Sequence, residues 1–567
     1  MVYSHNLRVA SEVKLADIGD IARKLGIAGK YIKKYGDHVA KVSAEELLQT
    51  LKKRKEGKHI LVTSITPTQM GEGKTVTTIG LSMAFNKLKR KSIACIRQSS
   101  LGPTFGMKGN GTGGGLCQVL PQEELGLYLT GDTYAVSAAQ NLCAAMLDNC
   151  LFWEEKGMPS KDQITWKRVS DISDRALRNM SIGGGGKLHG VNRRTGMEIT
   201  PAGECMAILS LSEDLKDMRA RLGNIVLGFD LHGKPVKAEE IKASGAMAAL
   251  MKNALNPNLL QTVEHTPCFV HTGAFANTSH GSSSVIADKL ALKLADFTVT
   301  ESGFGADLGA EKFIDIKCRQ SGLKPDVIVI NCSVRALKIH SGDFQMKTTS
   351  LPPELKKENL SAVDRGCSNL EKQVENLKLF GVPIVVSINR FDSDTKKEID
   401  VVLRRVEALE VDGVAICDAY RSGSSGAVDL AKVVMKACSE KTKMRYLYPV
   451  DMTLESKIER VAKSMYGASE VKYSDEATEN ISRIVAAGLD KVPVCMAKTH
   501  LSLTNNPDKK GRPKGFRLMI EDVVAASGAG YIVVLCEGIS TMPGMPRVPR
   551  STGVDIDVKT GAIKGLF

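Results

Sequence analysis

The sequence predicts an α/β protein built around a parallel sheet, and the alternation of two kinds of segment along the chain indicates this fold class. Short apolar, β-branched runs such as HILVTSIT, which starts at His59, alternate along the chain with stretches of helical spacing. The 567 residues are 43% hydrophobic and 25% charged, the composition of a packed globular protein. Thirteen isolated cysteines without a C-x-x-C motif indicate free thiols in a reducing compartment, not disulfides or a zinc site.

The first forty residues predict two helices, ADIGDIARKLG and AGKYIKKYG, because apolar residues recur at helical spacing and each segment ends in glycine. Their acidic residues and the lack of an apolar core predict that no presequence is cleaved here. No run of about 18 apolar residues occurs, so no membrane span is expected. The net charge of +14 is scattered among acidic residues, which argues against binding to nucleic acid or to a membrane surface.

From His59 onward the order strand, glycine-rich turn, helix, strand predicts a βαβ unit, formed by HILVTSIT, TVTTIGLSMAFNKLKRK and SIACIRQ. Further buried strands are expected at FTVTES, DVIVINCSV, VPIVVSIN, VAICDAY and GYIVVLCEG. Between Met146 and Asn256 the loop SIGGGGKLHG and the helical stretch GECMAILSLSEDLKDMRARLG indicate an inserted lobe. We therefore expect a first α/β domain over 1–145 plus 295–395, an inserted α/β lobe over 146–294, and a C-terminal α/β domain over 396–567.

The segment TPTQMGEGKT follows the first strand of that unit and opens its helix, the context that a phosphate-binding loop requires. The usual pattern is G-x-x-x-x-G-K-[ST], and Thr68 stands where the first glycine is usual. Lys74 is predicted to reach the terminal phosphates, and the Thr75 hydroxyl to bind magnesium. The alternative, a plain glycine-rich turn with an exposed lysine, is disfavoured by the context. The predicted nucleotide-binding residues are Thr66, Pro67, Thr68, Gln69, Met70, Gly71, Glu72, Gly73, Lys74 and Thr75. This predicts a core similar to that of the P-loop nucleoside triphosphate hydrolases, with two additional α/β lobes.

Arg97 ends the next strand, and ligands of such sheets lie beyond the carboxyl ends of the strands. We therefore expect Arg97 to share a pocket with Lys74 and to face a phosphoryl or carboxylate group, although a surface salt bridge is an alternative. The run GMKGNGTGGG, which contains Lys108, predicts either an anion-binding backbone or a flexible loop. Phe304, between glycines, fits a stacking ring and a core residue equally well. His271 and His280 lack metal-ligand spacing and are expected to be structural.

A series of blocks over nearly the whole chain resembles the formate–tetrahydrofolate ligase family. The resemblance rests on blocks such as TPTQMGEGKTVTT, SLGPTFGMKG, NPNLLQTVEHTP, FVHTGAFANTSHG, VTESGFGADLGAEKFIDIKCR and MPGMPRVP. It implies a monofunctional, ATP-dependent ligase that phosphorylates formate with Mg-ATP and passes the formyl group to N10 of tetrahydrofolate. It also implies that Lys74 holds phosphates, that Arg97 steadies formate and formyl phosphate, and that Phe304 and Tyr420 enclose the pterin. The family's own loop has TPT before GEGKT, so Thr68 is a family trait.

Several positions near the implied ligands depart from the family pattern. Where the family has Arg-Glu-Pro-Ser, this chain has Gln98 after the arginine, so a carboxylate is replaced by an amide. In the block GDTYAV, Asp132 is kept, whereas Tyr134 replaces a histidine. The loop Arg421–Ser425 lacks the family's lysine and acid. We expect Lys74, Arg97, Gln98 and Asp132 to be the catalytic set.

The departures leave three hypotheses open: an active ligase, a divergent paralogue that binds ATP without ligating, and a ligase for another small carboxylate or pterin. The sequence favours the first, because Lys74, Thr75, Arg97, Asp132 and Phe304 are all present. The resemblance further implies a homotetramer, activation by a monovalent cation, and a cytoplasmic location, with small molecules as the only ligands.

Overall fold

The computed structural model describes residues 2–106, 111–344 and 352–566 of the chain. Its first predicted helix is confirmed: the Asp17 side chain accepts a hydrogen bond from the Gly19 N–H at the N-terminus, and Gly26 ends the helix with φ of 79°. The α-helices within the described ranges are Val2–Glu12, Ile18–Leu25, Ala44–Thr50, Lys74–Lys87, Leu101–Phe105, Gln122–Gly126, Asp132–Phe152, Glu204–Leu211, Leu215–Gly223, Ser244–Met251, Val285–Leu294, Arg319–Ser321, Val334–His340, Leu360–Lys378, Lys396–Glu407, Ala419–Ser422, Val428–Ala437, Leu454–Val461 and Asp475–Ala486.

A large central sheet organises the fold, and its members are short, largely buried strands. In chain order they are β1 Ile32–Tyr35, β2 Val39–Val42, β3 Lys58–Ser64, β4 Ser92–Ile96, β5 Gly113–Gly114, β6 Cys117–Leu120, β7 Asn258–Thr262, β8 Pro267–Val270, β9 Phe297–Glu301, β10 Val327–Cys332, β11 Ile384–Asn389 and β12 Gly413–Cys417. Across the sheet the order is β1-β2-β7-β8-β4-β9-β3-β10-β11-β12, with β6 and β5 branching from β7.

Every pair of neighbours from β8 to β12 in that order is parallel. The pairs that β7 forms with β8, β2 and β6 are antiparallel, and so is the pair of β1 with β2. Apolar side chains of β3 alternate between the two faces, since Ile60 and Val62 pack in one core cluster and Leu61 in the other. Helices cover both clusters, which is why the parallel strands are apolar nearly throughout. The prediction of an α/β protein with a mainly parallel sheet is confirmed.

Two further regions pack against this sheet. Residues 146–251 contribute three small strand pairs: Arg168–Ser170 with Met197–Ile199, Met180–Ile182 with Arg193–Thr195, and Val226–Phe229 with Pro235–Lys237. A separate four-stranded sheet near the C-terminus consists of β13 Glu470–Tyr473, β14 Val494–Ala497, β15 Arg517–Ala526 and β16 Tyr531–Cys536, ordered β13-β15-β16-β14. The strand expected at GYIVVLCEG belongs to this sheet. A last short pair, Asp555–Ile556 with Ile563–Lys564, follows it.

One expectation from the sequence is wrong. The helix predicted at AGKYIKKYG is wrong, since a 3-10 turn at Gly29–Tyr31 leads into β1. The segment is too short for a stable helix, and pairing with β2 at the sheet edge supplies its backbone hydrogen bonds instead. The helical stretch expected from Glu204 is confirmed, and it consists of two helices separated where Asp214 caps the second. The strands β7, β8 and β12 lie outside the segments expected for the first domain and belong to the central sheet, and the division into domains stays a prediction.

Candidate functional site

The loop between β3 and the helix Lys74–Lys87 turns sharply at two glycines. Gly71 and Gly73 have φ of 75° and 71°, in the left-handed region that side chains disfavour. Gly73 also lies against Asn389, and a Cβ at this position would come within 2.4 Å of the Asn389 Nδ2 atom. The helix therefore begins directly at Lys74, with its positive end facing the space beyond the sheet.

Thr68, which replaces the usual first glycine, ties the loop together. Its N–H and its Oγ1 each donate a hydrogen bond to Glu72 Oε1, both at 2.9 Å. The second oxygen of Glu72 accepts a hydrogen bond from Ser333 Oγ at 3.0 Å, and the Asn331 amide donates to the Glu72 carbonyl. Thr68 does not have a positive φ, so no glycine is needed there. Glu72 is thus a structural carboxylate that closes the loop.

Thr66, at the start of the loop, is held by buried side chains of two helices. Asn369 accepts a hydrogen bond from the Thr66 N–H at 3.0 Å, and both Asn369 and Gln373 donate to Thr66 Oγ1 at 2.9 Å. His340 donates from Nε2 to the Thr66 carbonyl at 2.7 Å, while its Nδ1 accepts from the Gly511 N–H at 3.2 Å. Burial lowers the pKa of His340 to about 4, so the ring is neutral at pH 7, as these two hydrogen bonds require.

The two residues predicted to hold phosphate and magnesium lie side by side. Lys74 Nζ donates to Ser64 Oγ at 3.2 Å. Thr75 Oγ1 donates to Glu301 Oε2 at 2.8 Å, and Glu301 is the last residue of β9, next to β3. Sequence reasoning missed Glu301, although an acid at the carboxyl end of the run FTVTES was a usable signal.

Arg97 follows β4 at the same edge of the sheet and reaches the same space. One guanidinium nitrogen, Nη1, donates to the Ala274 carbonyl at 3.0 Å, and within the described chain Nε is buried without a hydrogen-bond partner. The group lies against Gly303, where a Cβ would come within 2.8 Å of Nη2. Burial lowers the pKa of Arg97, and the negative charge of Glu301 opposes this. The arginine stays charged, with its fork directed by the backbone around it.

A cleft of about 330 Å³ joins these groups. The lining includes Met70 to Thr75 from the loop, together with Arg97, Glu301 and Phe304. Thr66 to Gln69 do not line it, because Thr66 and Thr68 are buried supports of the loop. Asn6, from the first helix, and Arg550, near the C-terminus, also line the cleft and had no signal in the sequence.

Two residues of the expected catalytic set do not line this cleft. Asp132 is buried in an ion pair with Lys41 at 2.7 Å and accepts a hydrogen bond from Asn258 Nδ2 at 2.8 Å, so its charge is already neutralised. Gln98 donates its backbone N–H to the Thr272 carbonyl at 2.7 Å. Its side chain is 4% exposed, and neither amide atom has a hydrogen-bond partner among the described residues. Tyr134 is 74% exposed.

The two rings expected around the pterin have different surroundings. Phe304 has φ of 63°, a strained conformation for a bulky residue, and its ring stacks on His500 at 4.4 Å between centroids with 7° between planes. Tyr420 packs against Gly114 and Gly115, and its hydroxyl donates to Asn6 Oδ1 at 3.2 Å. Tyr420 does not line the cleft and borders it through Asn6.

The remaining expected features are structural or lie elsewhere. His271 and His280 are fully buried and hydrogen-bonded to serine hydroxyls, and burial lowers the pKa of both. In the loop after Tyr420, Arg421 forms an exposed ion pair with Asp392 at 3.1 Å. Lys108 lies outside the described residues. No group of three or more acidic, histidine or cysteine side chains within the described ranges could hold a metal ion.

The thirteen cysteines are all free and buried. Burial raises the pKa of Cys143 and Cys438 to about 12, and that of Cys417 to about 11. None of the helices that the structure describes is both long enough and apolar enough to cross a membrane.

Comparison with known proteins places the chain in a family. A family model described as formate–tetrahydrofolate ligase matches residues 4–567. The chain is 45% identical over 575 aligned positions to formate–tetrahydrofolate ligase 2 of Rubrobacter xylanophilus, which covers 99% of both proteins. It is 46% identical over 567 positions to formate–tetrahydrofolate ligase of Saccharopolyspora erythraea, which covers both completely. The resemblance in the sequence is thereby confirmed, and the chain belongs to the formate–tetrahydrofolate ligase family.

Proposed function

We propose that the protein uses ATP to join formate to tetrahydrofolate, giving 10-formyltetrahydrofolate, ADP and phosphate through formyl phosphate. The observation that carries this proposal is the meeting of Lys74, Thr75 and Arg97 on one cleft beyond the carboxyl ends of β3 and β4. Membership of the ligase family supplies the identity of the substrates. The strand, glycine turn and helix around Lys74 support a P-loop core of the nucleoside triphosphate hydrolase type.

In the first step the γ-phosphoryl group passes from ATP to a formate oxygen, and ADP is released. Such a transfer depends on positioning and on neutralising charge, not on covalent catalysis. Lys74 and the N-terminus of its helix face the phosphates, while the Arg97 fork matches the carboxylate of formate and the phosphoryl oxygens. The burial of Arg97 strengthens that attraction, because little water screens it.

The cleft also suits the magnesium ion that accompanies ATP. Thr75 lines the cleft and offers a hydroxyl oxygen, the kind of hard donor that this ion prefers. When bound with the nucleotide, magnesium supplies additional positive charge on the phosphate oxygens.

In the second step N10 of tetrahydrofolate attacks the carbonyl carbon of formyl phosphate, N10 loses its proton, and phosphate leaves. Phe304 is proposed to stack on the pterin, and Tyr420 to border the ring from the rim that Asn6 forms. Asp132 and Gln98, although expected to be catalytic, are assigned no role in bond making, because neither lines the cleft. Because Gln98 does not line the cleft, an amide in place of the family's glutamate leaves the described lining unchanged. No observation favours a paralogue that has lost the reaction.

Assembly and location are proposed from the family resemblance. We propose a homotetramer that a monovalent cation activates, in the cytoplasm, where the buried free thiols would stay reduced. Light scattering of the purified protein tests the tetramer, and turnover in sodium against potassium buffers tests the cation.

The decisive experiment incubates the purified protein with Mg-ATP, formate and tetrahydrofolate and measures 10-formyltetrahydrofolate. We expect product that depends on all three substrates. Lys74→Ala is expected to abolish it, whereas Lys463→Ala, at an exposed lysine on the helical segment after Val461, should not. Absence of product from protein that still binds ATP would contradict the ligase function and indicate a divergent paralogue.

A further inference from the structure

Glu301 is placed by the sheet beside the phosphate loop. Strand β9 runs parallel to β3 with Glu301 paired to Val62, so Glu301 ends its strand at the edge where the loop begins. The side chain is 7% exposed and lines the cleft together with Lys74 and Arg97. Burying a carboxylate this deeply costs free energy unless a hydrogen bond or a cation compensates for the lost water.

The contact with Thr75 gives this carboxylate a specific chemistry. Thr75 Oγ1 donates its proton to Glu301 Oε2 at 2.8 Å. A hydroxyl that donates in a fixed direction has its lone pairs fixed as well, so they can face a cation at the phosphates. Magnesium bound with a nucleotide usually has one or two protein carboxylates near it, besides the loop hydroxyl and the phosphate oxygens.

The other acid in the described lining of the cleft is unsuitable for that role. Glu72 accepts two hydrogen bonds from Thr68 on one oxygen and one from Ser333 on the other. These bonds hold the loop closed, and breaking them for a cation would undo the loop that binds the phosphates. Of the two acids in the described lining, Glu301 is therefore the one that can bind a cation, and it contacts the Thr75 hydroxyl.

We propose that Glu301 is the carboxylate of the magnesium site: it orients the Thr75 hydroxyl and binds, beside it, the divalent cation that accompanies ATP. This assignment rests on the proposed function only in that the cation arrives with the nucleotide. It names a residue for the metal end of the cleft, distinct from Lys74 at the phosphates and Arg97 at formate.

The test compares Glu301→Gln with wild type by titrating Mn²⁺ into the protein with excess ADP, followed by electron paramagnetic resonance. We expect the Mn²⁺ affinity of the variant to fall about tenfold or more, as for the loss of other groups that orient metal ligands. The affinity for ADP in EDTA should not fall. Glu204→Gln is the control, since Glu204 is a half-buried acid in a different cavity, where it accepts hydrogen bonds from the Gly528 and Ala529 N–H groups.

A Glu301→Gln protein with wild-type Mn²⁺ affinity would overturn the proposal, and so would an equal loss of ADP affinity in EDTA, because that would indicate a merely structural role. If Glu301→Gln does not fold, Glu301→Asp keeps the charge on a shorter side chain. That variant should bind Mn²⁺ more weakly than wild type, and wild-type affinity in it would also overturn the assignment. The ligase assay on wild type tests the proposed function separately. Tight Mn²⁺ binding without formation of product would contradict the ligase function but not the assignment of Glu301 to the metal site.

Discussion

At the scale of single residues, Thr68 explains how the proposed phosphate loop forms without the usual first glycine. The backbone there has no positive φ, so glycine is not required for geometry. The hydroxyl instead joins Glu72 across the loop. A deviation that weakens the motif in the sequence is, in the structure, a contact that holds the loop in shape.

We therefore predict that Thr68→Gly, which restores the textual motif, weakens the protein. It removes one buried hydrogen bond and adds backbone freedom to the unfolded chain, with an expected loss of about 1–2 kcal/mol in the free energy of unfolding. Nucleotide affinity should fall with it. Urea unfolding and ADP titration measure both effects, and Thr68→Ser, which keeps the hydroxyl, should stay close to wild type. An unchanged Thr68→Gly protein would contradict the role given to this residue.

Gly303 allows a second prediction at this scale. A Cβ there would lie 2.8 Å from Arg97 Nη2 and 2.5 Å from the Ala276 Cβ, so Gly303→Ala must displace the guanidinium. Because misplacement of a positioning group by about 1 Å can cost about a hundredfold, kcat/KM for formate should fall by at least tenfold. ADP affinity should change little. Gly245→Ala is the control, since a Cβ there meets no atom within 4 Å.

The sequence predicted those cleft residues that belong to a recognisable motif or follow a predicted strand. Lys74 and Thr75 are fixed by spacing within the loop, and Arg97 by its place after a strand. Glu301 and Asn6 were missed, because each reaches the cleft through a pairing between distant segments. Asp132 lines up with a family block, yet its neutralising partner Lys41 is 91 positions away and has no signature.

At the scale of elements, the helix Val334–His340 links the phosphate loop to the C-terminal region. Its last residue, His340, donates to the Thr66 carbonyl and accepts from the Gly511 N–H. Both bonds need the neutral ring with its proton on Nε2. The helix end therefore holds the loop only while His340 is unprotonated.

This dependence predicts a loss of stability in acid. Burial lowers the pKa of His340 to about 4, below the value of about 6.5 expected in the unfolded chain. The unfolded state then binds the proton more readily, so the contribution of His340 is present above pH 6.5 and is lost as pH falls toward 4. The loss is about 3 kcal/mol. Urea unfolding from pH 7 to pH 5 should show a shallower pH dependence for His340→Gln than for wild type or for the exposed control His232→Gln. Equal slopes in all three proteins would contradict it.

Elements with strong patterns were predicted well, and those decided by distant pairing were not. The strands β3, β10 and β11 are apolar runs that can only be buried. By contrast β1 has an apolar spacing that also fits a helix, and β7 carries Asn258 and Gln261 among its apolar residues. Their assignment depends on neighbours in the sheet that sequence position does not reveal.

At the scale of the whole molecule, a buried ion pair joins the C-terminal sheet to the segment after Phe304. Lys498 follows β14, is fully buried, and lies 3.2 Å from Asp307, which also accepts a hydrogen bond from Gln373. Since Gln373 contacts Thr66 as well, this pair connects the C-terminal sheet with the loop.

Lys498→Met should therefore destabilise the whole protein and not only its C-terminal part. It leaves the Asp307 charge buried without its partner, which typically costs about 3–5 kcal/mol. Lys463→Met removes an exposed pair with Glu459 and should cost less than about 1 kcal/mol. Calorimetry distinguishes a lowered single transition, which we expect, from the early melting of one part, which would show that the pair does not link the two regions.

Because all thirteen cysteines are buried, their reaction with a thiol reagent can measure how often parts of the protein unfold locally. Thiols react as thiolates, and in the native state both burial and raised pKa values withhold that form. A thiol reagent should modify almost no cysteine in the folded protein and all of them after denaturation. The rate of modification then measures how often each region opens. If substrates stabilise the region around the cleft, Cys117 and Cys417 should be labelled more slowly, because both pack in one core cluster with the helix Lys74–Lys87.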